Sequence, residues 1–233
     1  MSEISRVPLR WRVARALFDL LYRNRMLYWL ASTIPFAGQW RRWQRLVLPH
    51  LASARNVLEV GCGIGTLLAD LTAAGYTCSA VDASPQMVEA TRGRLQRRGD
   101  AETAARVVQA RVQALPAADA SFDAVISTFP TDYIADPAAL REIARVLRPG
   151  GRLIVVLGAS LLPGNPLLLP FVAIQTLVYG RSRSGSSAAG DAEGAAVNRA
   201  FEALLRASGL EPRAESVRGP FWVAHLYVAE KPA

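Results

Sequence analysis

The stretch "NVLEVGCGIGTLLADL", residues 56–71, decides the fold of this 233-residue chain. Residues of strand character lead into three glycines, Gly61, Gly63 and Gly65, and a helical pattern follows at once. Glycine allows a tight turn and a close approach of a ligand to the backbone, and the first turn of the helix presents free N–H groups. The stretch therefore predicts a strand, a ligand-binding turn and a helix, with the acid Glu59 one residue before the strand ends.

A regular alternation of strands and helices extends from this stretch towards the C-terminus. Strands are predicted at 56–60, 77–81, 106–109, 122–127 and 151–157, with helices at 65–74, 85–98 and 137–147 between them. A helix at 195–208 and two last strands, 211–217 and 222–229, complete the series, and the short link "GPF" predicts an antiparallel hairpin. This alternation is typical of an α/β fold with a doubly wound sheet and helices on both faces.

Composition is that of one globular domain with reduced cysteines. Hydrophobic residues make up 51% of the chain and charged residues 20%, an ordinary balance for a packed core. Cys62 and Cys78 are too few for a disulfide framework, and neither has a histidine at metal-ligand spacing. We therefore expect a cytoplasmic protein with no metal, and the arginines near the N-terminus argue against a signal peptide.

Positive charge is concentrated in the N-terminal part. Residues 1–55 carry ten arginines and two acids, a net charge of +8 that equals that of the whole chain. Within them, 10–31 follows the spacing of an amphipathic helix and 39–48 predicts a second one, so residues 1–50 are interpreted as a basic helical cap on a domain formed by residues 51–233. Such a segment favours an anionic partner such as lipid headgroups, and a solvated arginine-rich helix face is the alternative.

An uncharged stretch, residues 153–180, begins in the fifth predicted strand. Prolines and glycines divide it, which predicts a strand, a loop and a short apolar helix rather than a membrane span; a re-entrant or interfacial segment is the alternative. Residues 181–196 have the composition of a mobile loop. Together, residues 158–196 are interpreted as a lid or loop insertion of the domain.

The acid and glycines of "LEVGCGIG", residues 58–65, resemble motif I of the class I S-adenosylmethionine-dependent methyltransferases. A dinucleotide site has the spacing G-x-G-x-x-G/A, whereas Thr66 stands here at the place of its third glycine. The resemblance implies that Glu59 and the glycine backbone hold the methionine end of S-adenosylmethionine, because its ammonium suits a carboxylate. Cys62, within the turn, is assigned to the same cofactor site.

A second acid follows the second predicted strand in "AVDASPQM", residues 80–87. Asp82 can accept hydrogen bonds from both ribose hydroxyls of a nucleotide, and a simple turn acid is the alternative. Ser84 is predicted to cap the following helix. The resemblance implies that Ala83 and Met87 also line the cofactor site, with Met87 close to the adenine.

Two later stretches, "ALPAADASFDAVIST" at 114–128 and "LREIARVLRPGGRLIVV" at 140–156, resemble the same family, so that the resemblance covers about residues 50–157. It implies a seven-stranded Rossmann-like sheet in the order 3-2-1-4-5-7-6 with the last strand antiparallel, and it is loosely similar to the ubiquinone and menaquinone biosynthesis methyltransferases. One departure is Arg111, which stands where relatives usually have an acid for the adenine amine. Either Val112 and Gln113 bind the adenine instead, or cofactor affinity is lower.

The segment after the fourth predicted strand, "STFPTDYI" at 127–134, is expected to form the wall of the active site. Asp132 and Tyr133 are the candidates for orienting a substrate or accepting a proton, and Thr128 is assigned to the cofactor site. Asp132 could equally be a turn acid, and Phe129 could line the pocket or belong to the core. His50 and His225 are interpreted as structural rather than catalytic.

The sequence therefore predicts a methyltransferase that transfers a methyl group from S-adenosylmethionine to a small hydrophobic acceptor of lipid, quinone or phenolic type. Its basic helix predicts contact with the inner face of a membrane. The alternatives are a catalytically degenerate binding protein of the same fold and, disfavoured by the glycine spacing, a nicotinamide-dependent oxidoreductase. Nucleic acid is not favoured, because the basic segment lacks a recognisable binding module.

Overall fold

The computed structural model of the protein describes residues 38–51, 53–162, 168–172 and 188–233. The predicted helix at 10–31 and the central part of the predicted lid lie outside these residues. The described chain begins with helix α1, Trp40–Gln44, which continues into a 3-10 helix, Arg45–Leu51. The predicted helix at 39–48 is thus present as two short pieces.

One seven-stranded sheet forms the centre of the domain. Its strands are β1 Asn56–Val60, β2 Thr77–Asp82, β3 Val107–Gln109, β4 Phe122–Thr128, β5 Leu147–Leu161, β6 Glu211–Gly219 and β7 Trp222–Glu230. Their order is β3-β2-β1-β4-β5-β7-β6, and β7 pairs antiparallel with β5 and β6 while the other neighbours are parallel. The predicted order and the antiparallel last strand are confirmed, and the strand order reverses between β1 and β4.

Helices cover both faces of the sheet. They are α2 Thr66–Ala73, α3 Pro85–Gln96, α4 Ala101–Ala105, α5 Pro137–Val146 and α6 Ala188–Ala207, with a 3-10 helix at Asp132–Ala135. Successive strand residues point to opposite faces, so Val57 packs under α2 with Leu67, whereas Leu58 packs with Ile143 of α5 on the other face. Burial of both faces explains why β1 and β4 contain consecutive buried residues instead of an alternation of buried and exposed ones.

Helix caps follow the sequence signals. The Oγ of Ser84 accepts a hydrogen bond from the N–H of Met87, and Pro85 occupies the first turn of α3. The side chain of Asp136 caps α5 in the same way by accepting from the N–H of Ala138. The predicted cap at Ser84 is therefore confirmed, and each cap satisfies an N–H that the helix leaves unpaired.

Three elements differ from the expectation. β5 extends to Leu161 because β7 pairs with it as far as Trp222, and α6 begins at Ala188. The first residues of the predicted 158–196 lid therefore belong to a strand, and its last residues belong to a helix. The helix is favoured by the alanines of 188–196, because alanine has the highest helix propensity. Helix α4 was not predicted, and it is capped by Asp100, whose side chain accepts from the N–H of Thr103 at 3.0 Å.

The segment before β1 packs onto the sheet and onto α2. Trp43 and Val47 are fully buried, and Arg41 and Arg45 both form ion pairs with Asp70 of α2. Burial raises the pKa of Asp70, but the hydrogen bond and charge of Arg41, with the charge of Arg45, outweigh it and lower the pKa below its usual value. These ion pairs hold α1 beside α2, the helix that follows the glycine turn.

No helix within the described ranges is long and apolar enough to cross a bilayer.

Candidate active site

The glycine turn after β1 has a left-handed backbone at each of its glycines. Gly61, Gly63 and Gly65 have φ angles of 72°, 55° and 69°, a region that L side chains rarely adopt. Space is also restricted, because a Cβ on Gly61 would lie 2.6 Å from the Oη of Tyr133, and one on Gly65 would lie 2.6 Å from the Cγ2 of Thr91. The three glycines are therefore required both by conformation and, at two positions, by contact.

Asp82 joins the glycine turn to the loop after β2. One carboxylate oxygen accepts from the N–H of Gly63 at 2.9 Å, and the other accepts from the N–H of Ser84 at 2.9 Å. A carboxylate can accept about four hydrogen bonds, so each oxygen keeps capacity for a ribose hydroxyl. Burial raises the pKa of Asp82, and the two N–H groups oppose that rise.

Glu59 lies beneath the glycine turn and is 1% exposed. Burial, followed by the charge of Asp82, raises its pKa to about 8, while the backbone N–H of Leu68 opposes the rise. Its Oε2 is buried and has no hydrogen-bond partner within the described part of the chain. An unpaired buried carboxyl oxygen fits a cationic ligand group, as the ammonium of S-adenosylmethionine would be.

Replacing Glu59 by glutamine is expected to change the pH dependence of stability. The folded protein keeps the Glu59 proton up to about pH 8, whereas the unfolded chain releases it near 4.5. Stability therefore falls as pH rises between these values, because the folded state binds more protons there. In thermal unfolding of the cofactor-free protein, Glu59→Gln should match the wild type at about pH 4 and exceed it at about pH 8.5. An equal difference at both pH values would contradict this assignment.

Thr91 of α3 holds the glycine turn from behind. Its side chain is fully buried, its Oγ1 donates to the carbonyl of Gly63 at 2.7 Å, and the Sγ of Cys62 lies 3.8 Å from that Oγ1. Burial, together with the charge of Glu59, raises the pKa of the Cys62 thiol well above its usual value, so Cys62 is a neutral packing residue. Sequence reasoning missed Thr91, because the spacing from the glycines does not show that α3 packs there.

Four other predicted cofactor residues lie on α3 and on the loops after β2 and β3. Met87 is buried against Ile64 of the turn, and Ala83 is exposed beside Asp82. On the loop after β3, Val112 is buried, whereas Gln113 donates from its Nε2 to the carboxylate of Asp136 at 2.8 Å and so holds the cap of α5.

Arg111 is exposed at the surface. The arginine that replaces the usual acid of the family is therefore solvated, and it lies next to the buried Val112.

Tyr133 is brought to the point where the strand order reverses. Its Oη lies 2.7 Å from the Oγ of Ser127 on β4 and donates to the carbonyl of Val60 on β1 at 3.2 Å. Asp132, the other candidate, is exposed at the start of the 3-10 helix. The structure therefore places Tyr133 against the glycine turn and Asp132 at the surface.

Aromatic side chains cover the ends of β4, β5 and β7 next to this point. The ring of Phe129 stacks on that of Trp40 with ring centroids 4.0 Å apart. The ring centroid of Trp43 lies 6.3 Å from that of Phe129 and 6.2 Å from that of Trp222. We call Trp40, Trp43, Phe129 and Trp222 the aromatic wall. Phe129 has a φ of 52°, which is rare for a bulky residue, and such strain is concentrated at functional sites.

Thr128, the last residue of β4, directly precedes Phe129 of the aromatic wall. It is 9% exposed, and its Oγ1 accepts a hydrogen bond from the Nε2 of Gln44 on α1 at 3.3 Å. Helix α1 therefore reaches across the end of β4, a contact that joins residues 84 positions apart in the sequence.

The histidines and two surface hollows lie elsewhere. His50 is 3.7 Å from the carboxylate of Glu215, and His225 is hydrogen-bonded to Ser216. A hollow of about 140 Å³ is lined by His50 and the first residues of β5, and one of about 180 Å³ lies on the face of β1 and β2. None of the predicted site residues lines either hollow, so the end of β1 and β4 is the better candidate.

A model of the methyltransferase domain family matches residues 58–155, which span the glycine turn, Asp82 and Tyr133. The resemblance to class I S-adenosylmethionine-dependent methyltransferases is confirmed by this match.

Among curated relatives, demethylmenaquinone methyltransferase from Mycobacterium sp. (strain KMS) is 37% identical over 145 residues, which are 60% of this chain and 57% of that protein. The same enzyme from Mycobacterium tuberculosis (strain ATCC 25177 / H37Ra) is 35% identical over 147 residues, 62% of this chain and 58% of that protein. The chain thus matches little more than half the length of these relatives.

Solved structures agree on the fold. Geranyl diphosphate methyltransferase in complex with S-adenosylmethionine superposes with a TM-score of 0.56 at 16% identity over 82% of this chain and 85% of that chain. Geranyl diphosphate C-methyltransferase from Streptomyces coelicolor A3(2) gives a TM-score of 0.56 at 14% identity over 82% and 80%. At these identities the likeness shows the Rossmann-like fold.

Proposed function

We propose that this chain is an S-adenosylmethionine-dependent methyltransferase acting on a small hydrophobic acceptor. One observation carries the proposal: a turn of three left-handed glycines is tied to the carboxylate of Asp82 beside the point where the strand order reverses. Open parallel sheets bind ligands at that point. The match of residues 58–155 to a methyltransferase domain supports the same interpretation.

Each residue of the site has a role that fits this cofactor. Glu59 and the glycine backbone would hold the methionine end, Asp82 the ribose hydroxyls, and Met87 the side where the adenine is expected. When bound, the cofactor supplies an already activated methyl group, so the protein mainly positions the acceptor and excludes water. Tyr133, held at the end of β1, is the residue proposed to orient the acceptor or take its proton, with Asp132 as the exposed second candidate.

Trp40 and Phe129, the partly exposed rings of the aromatic wall, favour a planar, apolar acceptor such as a quinone or phenolic ring. The rings of the aromatic wall lie beyond β4 and β5, on the side of the strand-order reversal away from Asp82. Stacked and edge-to-face aromatic contacts each add about 0.5–1.5 kcal/mol beyond the buried area. The curated relatives, which are named for a demethylated menaquinone, support the same class of acceptor.

Two experiments test the activity. Calorimetric titration with S-adenosylhomocysteine and with NADH separates a methyltransferase from an oxidoreductase, and binding of NADH alone would refute the proposal. Incubation with labelled S-adenosylmethionine and quinone, phenolic and lipid extracts then tests transfer. Cofactor binding without any labelled product would favour the degenerate binding protein.

Contact with an anionic membrane is part of the proposal. It rests on the net charge of +8 in residues 1–55. Arg41 and Arg45, on and directly after α1, pair with Asp70 but keep 52% of their side-chain surface exposed. The protein should sediment with anionic vesicles at low salt, stay in solution with neutral ones, and be released at raised salt, because exposed charges are screened over about 10 Å at 0.1 M. Equal sedimentation with both kinds of vesicle would contradict an electrostatic contact.

A further inference from the structure

Gln44 is a buried polar side chain whose carboxamide is only half satisfied. The residue is 7% exposed, and its Nε2 donates to the Oγ1 of Thr128. Its Oε1 is buried and has no hydrogen-bond partner within the described residues. Buried acceptors are almost always paired in folded proteins, and an apolar side chain of similar size would avoid the loss. The unpaired oxygen therefore points to a ligand that donates a hydrogen bond.

The position of Gln44 indicates which ligand this is. Trp40 and Gln44 are four residues apart on α1, so both lie on the same face of the helix. Trp40 stacks on Phe129, while Gln44 bonds to Thr128, the residue directly before it. The Oε1 of Gln44 thus stands next to a stack of aromatic rings at the end of β4.

We infer that Gln44 is a specificity-determining residue that accepts a hydrogen bond from a ring hydroxyl of the acceptor, while Trp40 and Phe129, the partly exposed rings of the aromatic wall, hold the acceptor ring. This assignment deepens the proposed function and rests on it. It predicts selection for acceptors that carry a free hydroxyl on a planar apolar ring, since a ring without a donor leaves the Oε1 of Gln44 unpaired. It also gives α1 a direct part in the site, although α1 precedes the strand that carries the glycine turn.

The test compares two probes on the full chain saturated with S-adenosylhomocysteine. 2-Naphthol carries a ring hydroxyl, and 2-methoxynaphthalene has the same ring without a donor. Binding is followed through quenching of tryptophan fluorescence, because three of the four residues of the aromatic wall are tryptophans. The wild type should bind 2-naphthol about tenfold more tightly, which corresponds to one hydrogen bond to a buried acceptor.

Two variants assign this preference to Gln44. Gln44→Met, which is similar in shape and lacks a strong acceptor, should bind both probes equally, whereas Gln44→Glu should keep the preference. Equal binding of the probes by the wild type, a preference retained by Gln44→Met, or no binding of either ring would overturn the inference. Thermal unfolding and S-adenosylhomocysteine titration show whether each variant is folded. If Gln44→Met does not fold, the comparison of the two probes on the wild type still tests the inference.

The outcome is separable from that of the proposed function. If S-adenosylhomocysteine binds but no methyl group is transferred, the enzyme assignment fails, whereas the naphthol preference, measured on the same complex, addresses Gln44 alone.

Discussion

Replacing Gly65 by alanine is expected to lower the free energy of unfolding by about 2–5 kcal/mol and to abolish measurable binding of S-adenosylhomocysteine. A left-handed conformation costs an alanine about 1–2 kcal/mol. The new Cβ would also lie 2.6 Å from the Cγ2 and 2.9 Å from the Oγ1 of Thr91. Thr91 cannot swing away, because it is fully buried and donates to the carbonyl of Gly63. Crowding of this kind adds about 1–3 kcal/mol and moves the turn that is proposed to bind the cofactor.

A matched control separates the two costs. Gly75 has a φ of 91°, and no atom outside its chain neighbours lies within 4 Å of the place that a Cβ would occupy, so Gly75→Ala bears the backbone cost alone. Urea unfolding should therefore show a loss of about 1–2 kcal/mol for Gly75→Ala, with cofactor titration unchanged. Equal losses for the two variants would show that contact with Thr91 has no part in the requirement for Gly65.

Replacing Asp82 by asparagine is expected to weaken S-adenosylhomocysteine binding by about 100-fold. Hydrogen bonds to a charged group contribute about 1.5–3 kcal/mol each, and the ribose offers two hydroxyls. The NH₂ group of asparagine would also replace one of the two carboxylate oxygens and face the N–H of either Gly63 or Ser84. Because both groups are donors, one of the two hydrogen bonds that join the loops would be lost.

Asp119→Asn is the control for Asp82→Asn. Asp119 is an exposed carboxylate that pairs with Arg145, so its loss changes the surface charge equally and should leave affinity unchanged. Calorimetric titration of both variants with S-adenosylhomocysteine gives the comparison. A change of less than about threefold for Asp82→Asn would mean that this carboxylate has only a structural role at the turn.

Local sequence signals were sufficient for the sheet and for the meeting of the glycine turn with Asp82. The run at 56–60 is β1 as predicted, since five residues bounded by turn signals are long enough for a strand but too short for a typical helix. The glycines and Asp82 also meet as expected, because each follows the carboxyl end of a neighbouring parallel strand.

Contacts between distant parts of the chain could not be predicted in this way. The pairing of Gln44 with Thr128 and the stacking of Trp40 on Phe129 depend on where α1 packs, and no periodicity within α1 encodes that position. Thr91 was missed for the same reason, because its role comes from the packing of α3 behind the glycine turn. Such residues are identified only when the three-dimensional neighbours are known.

The order of the strands divides this site between separate parts of the chain. The glycine turn and Asp82 follow β1 and β2, whereas the aromatic wall is drawn from α1, the end of β4 and the start of β7. Substitutions at Trp40 or Trp222 can therefore accumulate without altering the backbone that surrounds Asp82. A protein built in this way can exchange one acceptor for another during evolution, or in the hands of an engineer, while its cofactor chemistry is inherited unchanged.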